Sequence, residues 1–453
     1  YRCVWDAGIP LETLPRCVEV PVGNRLVSGR LLRSHLPHSD CPVYFVAREE
    51  YFDRAGLYGD GKEDYRDNCE RFVFFCRAVL EAVRELELEV DLLHCNDWQT
   101  GLVPVYLSTE YGVIRGYEKI RTLMTIHNMA YQGRFWYWDM VLTGLDSRYF
   151  NWRQLEFYGD LNLLKAGLVF SDTLTTVSPT YAREIQSSPH GCGLEGVLSG
   201  RRQHLVGILN GADYRSWNPE TDEHLPRTYG ISDRSEGKAA CKADLQRELG
   251  LPLLSDVPLI GFVGRLVEQK GVELILGALR TWARTRPAQW VILGTGQRDW
   301  ELQLEGLAAE YPQRVAAKLS FSESLAHRIT AAADIFVMPS RFEPCGLNQL
   351  YSLKYGTVPV VHRTGGLADT VRDADPLSIA SGEANGFSFE GFDGAAFEQA
   401  LARACDLYQQ DPAAWGQLAT RGMTQDWSWR RSAAQYADVY RETLEREART
   451  VGA

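Results

Sequence analysis

From Pro258 to Val361, short apolar runs and amphipathic stretches alternate so regularly that few folds can accommodate them. The predicted strands are Pro258–Val263, Trp290–Leu293, Val315–Leu319, Asp334–Met338 and Val358–Val361. The predicted helices between them cover Val272–Ala283, Trp300–Glu310, Ser324–Ala333 and Gly346–Tyr355. Continuous apolar runs of this length are buried on both faces, and strands separated by helices pair in parallel. A doubly wound α/β domain is therefore expected. Thr364-Gly365-Gly366 opens a further helix, and Phe397, Ala400, Leu401, Ala404 and Leu407 mark a later one.

A second series precedes this one. Asp67–Leu86 carries Phe72, Phe75, Cys76, Val79, Leu80 and Val83 at helical spacing, which predicts an amphipathic helix. The strand Val90–Cys95, a helix over Thr100–Tyr111 and the strand Ile120–Ile126 follow, with further strands at Thr173–Val177 and Leu205–Leu209. Cys17 to Val22 alternates like a strand. The polar stretch from Tyr214 to Asp256 breaks the pattern, with one helical piece at Lys238–Leu249. The expected organisation is a first domain over 1–213, a connection over 214–256, a second domain over 257–426, and a helical segment over 427–453 that crosses back to the first domain. Two such domains facing each other leave a cleft at the carboxyl ends of their strands, where open α/β sheets bind ligands.

Composition narrows the function. The 453 residues suffice for two or three domains of about 100–200 residues each. With 45% hydrophobic and 24% charged residues, the chain is globular rather than disordered. A net charge of −11 argues against coating nucleic acid or a membrane surface. A small anionic ligand needs only local cations and helix N-termini. The ten cysteines show no CxxC spacing, which disfavours a zinc ribbon or a thioredoxin motif. No apolar run approaches the roughly 20 residues of a bilayer span, and a cytoplasmic enzyme is expected. The sequence lacks GxxxxGK[ST], HExxH and GxSxG, so P-loop, zincin and serine-hydrolase chemistry rank low.

The residues that carry chemistry cluster at predicted strand ends. Arg265 and Lys270, five residues apart, suit a diphosphate leaving group, and on their own fit two solvated cations as well. Ser340-Arg341-Phe342-Glu343-Pro344-Cys345-Gly346 closes one strand and opens a helix, leaving N–H groups from Gly346 to Asn348 for an anion. Glu343 either accepts hydrogen bonds from sugar hydroxyls or caps that helix. The glycines of Thr364-Gly365-Gly366 and Gly294-Thr295-Gly296 permit close approach of backbone to a ligand, or simply a tight turn. In the first domain, His127 ends a strand, and Asp97 either faces the cleft or caps the next helix. Phe135-Trp136-Tyr137-Trp138 fits sugar stacking, core packing or a partner surface.

Ordered along the chain, further segments join these: Tyr51-Phe52-Asp53-Arg54, Asn96-Asp97-Trp98, His127-Asn128-Met129-Ala130-Tyr131-Gln132-Gly133, Lys165-Ala166-Gly167, Val177-Ser178-Pro179 and Leu209-Asn210-Gly211. Gly264-Arg265-Leu266, Gln269-Lys270-Gly271, Pro339 to Leu347 and Tyr355-Gly356-Thr357 complete the set. Together they resemble glycogen and starch synthases, retaining glucosyltransferases of the GT-B fold, over essentially the whole chain. The resemblance implies two facing Rossmann-like domains and an ADP-glucose donor. It also implies an α-1,4-glucan or maltooligosaccharide acceptor and no metal or other cofactor. It assigns Arg265 and Lys270 to the donor diphosphate and Glu343 to the glucose hydroxyls. His127 falls against the glucose, and Asp97 and Asn210 on the sugar and acceptor side. Backbone groups of Cys345, Gly346 and Leu347, with Asn348 and Thr364-Gly365-Gly366, complete the donor contacts.

Phe321 stands where many relatives stack a Tyr on adenine, and Asn348 where many carry Thr or Ile. The family's Lys-x-Gly-Gly-Leu loop, with the strand before it, does not occur in a sequence that begins at Tyr1. The resemblance therefore implies an incomplete first sheet and weak or no activity for the chain as it starts. Two other functions remain open at this level: a glucosyltransferase with a small-sugar acceptor, and a non-catalytic glucan- or nucleotide-binding relative. Oligomeric state is not read from the sequence.

Overall fold

The computed structural model describes residues 2–61 and 63–446, so the end of the expected helical segment, 447–453, lies outside the described residues. The chain forms two compact units. One comprises Tyr1–Thr176, Ile185–Val206 and Ala437–Ala453, and the other Val177–Glu184 and Gly207–Tyr436. No helix among the described residues is long and apolar enough to cross a membrane.

The first unit opens with an antiparallel sheet that the sequence reading only glimpsed: Glu12–Val22, Arg25–His35 and Pro42–Ala47, in that order. Gly23, at φ 60°, makes the turn between the first two strands. Val18, Val20 and Val22 share the buried face, at the period of two that a strand imposes. The helix Asn68–Glu85 packs on that sheet so closely that a Cβ on Gly29 would lie 2.8 Å from the Phe74 ring. A four-stranded sheet follows, in the order Leu205–Gly207, Thr173–Thr176, Arg121–Ile126, Leu92–Asn96. The helix expected over Thr100–Tyr111 is divided into Trp98–Thr100, Leu102–Tyr106 and Leu107–Tyr111. The later part of the helix Trp429–Glu445 belongs to this unit, where Tyr440 Oη meets His94 Nδ1 at 2.8 Å and Thr443 bonds Thr173.

The second unit holds the sheet that the alternation demanded. Its six strands are ordered Val315–Lys318, Gln289–Leu293, Leu259–Val263, Ile335–Met338, Val358–His362, Phe387–Phe389. All five neighbouring pairs are parallel. In chain order this is 3-2-1-4-5-6, the doubly wound arrangement whose direction reverses between strands one and four. The helix Val272–Thr285 covers the sheet with Val272, Ile275, Leu276, Leu279 and Trp282, all buried in one core with Trp290. Each such side chain contributes about 1.5–3 kcal/mol before entropy is counted.

The stretch 214–256, expected as a connection, is packed into this unit. Trp217 is sandwiched between His327 and Tyr351, with ring centroids 3.7 and 4.1 Å away. Tyr229 Oη donates to the Tyr355 carbonyl (2.9 Å). The helix Arg234–Leu249 sends Lys242 to a buried ion pair with Asp334 (2.7 Å). A polar sequence disguised this role, because its buried groups are satisfied in pairs by residues far along the chain.

Candidate active site

The strand-order reversal puts the carboxyl ends of Leu259–Val263 and Ile335–Met338 next to each other, and both loops that leave them carry predicted site residues. The loops are fastened together by backbone. Arg341 N–H donates to the Gln269 carbonyl (2.9 Å), and a Cβ on Gly271 would lie 1.9 Å from the Pro339 carbonyl oxygen. Gly271 also sits at φ 67°, so two constraints require glycine there.

Across this junction Lys270 Nζ donates to Glu343 Oε2 at 2.6 Å, and Ser340 Oγ donates to the same oxygen at 2.9 Å. The Glu343 side chain is 7% exposed and that of Lys270 22%. A carboxylate this buried needs such partners. Its second oxygen, Oε1, has no protein partner among the described residues. Ser340 is itself placed by its carbonyl, which lies 2.8 Å from His362 Nδ1. Arg265 is exposed, and its guanidinium meets no protein acceptor among the described residues. Arg341 behaves otherwise: it is paired with Glu273 and Glu268 and lies over Phe392.

The helix after Glu343 begins at Asn348, later than expected. Gly346, at φ 72°, and Leu347 therefore lie in the turn before it, and their N–H groups donate to nothing among the described residues. Cys345 is buried; desolvation pushes its thiol up to about 12, against a hydrogen bond from the Asn210 backbone. The Asn348 amide donates to the Val263 carbonyl (2.8 Å), tying helix to strand. Asn210 lines a small cavity of about 70 Å³ with Leu209, Trp427 and Ser432. Phe321 stands on the loop after Val315–Lys318 with 92% of its surface exposed.

The Gly-rich helix entry has protein partners of its own. Gly365 N–H and Thr364 Oγ1 both donate to Glu184 (3.0 and 3.1 Å). Gly366 N–H donates to the carbonyls of Glu343 and Pro344, each at 3.1 Å. A Cβ on Gly365 would lie 2.0 Å from the Glu343 carbonyl oxygen, and one on Gly366 2.1 Å from that of Cys345. These glycines let the helix entry press against the Glu343 loop. Gly294 and Gly296 do the same for neighbouring loops, their Cβ positions falling 1.8 and 2.1 Å from the carbonyls of Gly264 and Leu266.

In the first unit, Asp97 and His127 lie at adjacent strand ends. Asp97 Oδ1 accepts the His127 N–H (2.7 Å), and the carboxylate also accepts the Asn128 N–H. Desolvation raises the Asp97 pKa, and these hydrogen bonds and His127 oppose the shift. Asp97 sits at φ 56°, a strained conformation worth on the order of 1–3 kcal/mol. His127 Nε2 lies 2.9 Å from Asn96 Oδ1. Of the aromatic run, Phe135 packs edge-on to Trp98, whereas Trp136, Tyr137 and Trp138 are exposed.

Other groupings lie apart from these residues. A cavity of about 750 Å³ opens in the first unit by Trp152, Tyr158, Leu194 and Arg201, and no candidate residue lines it. Asp222, His224 and His327 gather in the second unit at metal-ligand spacing. Asp222 Oδ2 already serves His327 (2.8 Å) and Tyr355 Oη (2.5 Å).

Sequence reasoning did not single out Ser340 as Glu343's second donor, nor His362 and Glu184. Ser340 lay inside the named segment, but nothing marked its hydroxyl as the one that turns inward. Glu184 carries no local signal, since its partners are about 180 residues away.

The fold is doubly wound, with two cations and a held carboxylate beside its strand-order reversal, and comparison with known proteins gives its class. Residues 6–200 match the starch synthase catalytic domain and residues 250–421 match glycosyl transferases group 1. A glycogen synthase of Rhodopirellula baltica is 47% identical over 445 residues, covering 96% of this chain and 88% of that protein. One from Anaeromyxobacter sp. is 50% identical over 401 residues, covering 88% and 83%. The catalytic domain of starch synthase IV from Arabidopsis thaliana, solved bound to ADP and acarbose, superposes with a TM-score of 0.88 at 34% identity, covering 97% of this chain and 89% of that one. The chain belongs to the glycogen synthase and starch synthase family, with its GT-B fold, and is a glucosyltransferase.

Proposed function

We propose that the chain transfers glucose from ADP-glucose to the non-reducing end of an α-1,4-glucan with retention of configuration. The observation that carries this reading is Glu343: one oxygen is fixed by Lys270 and Ser340, while the other is open at the strand-order reversal. The open oxygen accepts a glucose hydroxyl and orients the anomeric carbon. An ammonium has three donors and Lys270 commits one to Glu343, leaving two for phosphate oxygens. Arg265 supplies a planar fork to the same diphosphate. As the bond from anomeric carbon to phosphate oxygen breaks, charge grows on the leaving ADP. Fixed cations facing it stabilise that state more than the ground state. The acceptor hydroxyl oxygen bonds to the same face of the anomeric carbon and passes its proton to the departing phosphate.

The free N–H groups of Gly346 and Leu347 support the donor sugar and phosphate, and Phe321 offers a face to adenine. Asp97, His127 and Asn210 serve the sugar and acceptor side. Residues 1–213 and 257–426 act as acceptor-side and nucleotide-sugar domains, and a cytoplasmic location belongs to the same reading. The test is incorporation of labelled glucose from ADP-glucose into glycogen by the full-length protein, with UDP-glucose as competitor. Label confined to soluble product would overturn the polymer acceptor, and preference for UDP-glucose the donor.

A further inference from the structure

We propose that Glu184, which has no place in the chemistry above, is a positioning residue for the Glu343 loop; the kinetic part of the argument rests on the transferase reading. Glu184 ends the helix Pro179–Glu184, and its carboxylate holds the amino end of the helix Gly365–Thr370 through Gly365 N–H (3.0 Å) and Thr364 Oγ1 (3.1 Å). The second helix returns the contact. Asp369 accepts Thr180 N–H (2.8 Å) and Thr180 Oγ1 (2.6 Å) at the amino end of the first. Each helix has six residues, too few to persist alone in water. Each therefore gains amino-terminal hydrogen bonds to a carboxylate on the other, added in the first helix to its own Ser178 cap (Tyr181 N–H to Ser178 Oγ, 2.9 Å), and negative charge at both ends suits the helix dipole.

The two caps differ in what lies beyond them. Thr180 and Asp369 bond at the other end of the helix pair, where Thr180 Oγ1 also accepts from Arg183 (2.7 Å) and Asp369 acts on the Cys345 thiol through its charge. Beyond Glu184 comes Gly365, whose missing Cβ leaves the room that brings it against the Glu343 carbonyl, and then Gly366, whose N–H bonds that carbonyl. The backbone of the substrate-orienting residue is thus pinned by a series of contacts that includes the Glu184 carboxylate. Releasing it lets the helix entry drift from the loop. A displacement near 1 Å at an orienting group is enough to lower kcat on the order of 100-fold.

The experiment compares Glu184→Ala with Thr180→Ala, which loosens the same helix pair at its other end, and with Glu184→Gln, which keeps an accepting oxygen. Two readouts are taken: hydrogen exchange at the amides of residues 343–347 and Gly366, and kcat and KM for glucose transfer. Positioning requires faster exchange in Glu184→Ala than in Thr180→Ala, a drop in kcat of about 10- to 100-fold that exceeds any change in KM, and substantial recovery in Glu184→Gln. Equal exchange and equal kcat in the two alanine variants would reduce Glu184 to a stabilising cap and overturn the proposal. Should the wild-type protein fail to transfer glucose to glucan, the functional reading falls, and hydrogen exchange still decides the positioning.

Discussion

Glu343 and Asp97 are both largely buried carboxylates at the carboxyl ends of parallel strands, one in each unit, yet they are held in different ways. Glu343 is held by side chains, an ammonium and a hydroxyl on one oxygen, and keeps the other oxygen open. Asp97 is held by backbone, with N–H groups of the two residues that leave the neighbouring strand. Backbone donors fix the course of the chain, whereas side-chain donors fix a rotamer and leave room for a ligand. Burial at a strand end therefore does not by itself mark a group that meets substrate; the nature of its partners does.

The largest expected effect tests the first half of this contrast. Glu343→Gln keeps the shape and loses the charge that orders Lys270, and Lys270→Ala removes a cation from the diphosphate. Each should lower kcat on the order of 100- to 1,000-fold, the scale for one preorganised electrostatic contact. Lys270→Ala should also destabilise the fold by about 1–3 kcal/mol, because Glu343 stays buried with Ser340 alone. Rates within a few-fold of wild type in both variants would remove Glu343 from the chemistry.

Asp97 should respond differently to the same pair of changes. Asp97→Asn retains an oxygen for the His127 N–H, and a neutral acceptor weakens such a bond by roughly 1 kcal/mol, so transfer should fall less than about tenfold. Asp97→Ala leaves two N–H groups unmet and should lower stability by about 1–3 kcal/mol, with a further loss of rate as His127 shifts. Thermal melting beside steady-state kinetics separates the two. If Asp97→Asn were as damaging as Glu343→Gln, with melting unchanged, the distinction between the carboxylates would be wrong.

The second unit was legible because its strands are short, apolar and punctuated by glycine and proline. Periodicity located the loops bearing Arg265 and Glu343, and topology then brought them together. The antiparallel sheet was mostly missed, since Pro15 and Pro21 sit inside the strand Glu12–Val22, which propriety in a central strand forbids but an edge tolerates; the register shifts between Thr13 and Cys17. Phe387–Phe389, three residues long, has no period to read. At Gly365 and Gly366 the sequence correctly implies that something approaches closely. It is silent on whether that something is a ligand or, as found, the carbonyls of Glu343 and Cys345.

Phe321 sharpens the contrast from the opposite extreme, as a predicted site residue held by almost nothing. Stacking on a base contributes about 1–3 kcal/mol. Phe321→Ala should accordingly raise KM for ADP-glucose roughly tenfold, leave kcat close to wild type and leave melting unchanged. Phe321→Tyr should restore KM. A lower melting temperature, or a kcat effect without one on KM, would assign the ring to something other than the base.

The effect that appears only as pH changes concerns a part-buried cation that, unlike Lys270, has neutral oxygens as its direct partners. Lys238 Nζ donates to the Ala331 carbonyl (2.8 Å) and to Thr357 Oγ1 (2.6 Å). Burial lowers its pKa to about 7 from 10.5, and the charge of Asp334 opposes the shift without cancelling it. Between those values the unfolded chain holds a proton that the folded chain has released, so stability rises with pH across that window and is flat below it. The slope is at most about 1.4 kcal/mol per pH unit for one group. Lys238→Met cannot release that proton, so the stability of wild type relative to the variant should climb between pH 7 and pH 10. Urea midpoints of both proteins across this range provide the check. A constant difference would mean that Lys238 stays charged, and that carbonyl and hydroxyl oxygens alone can hold an ammonium as a carboxylate does.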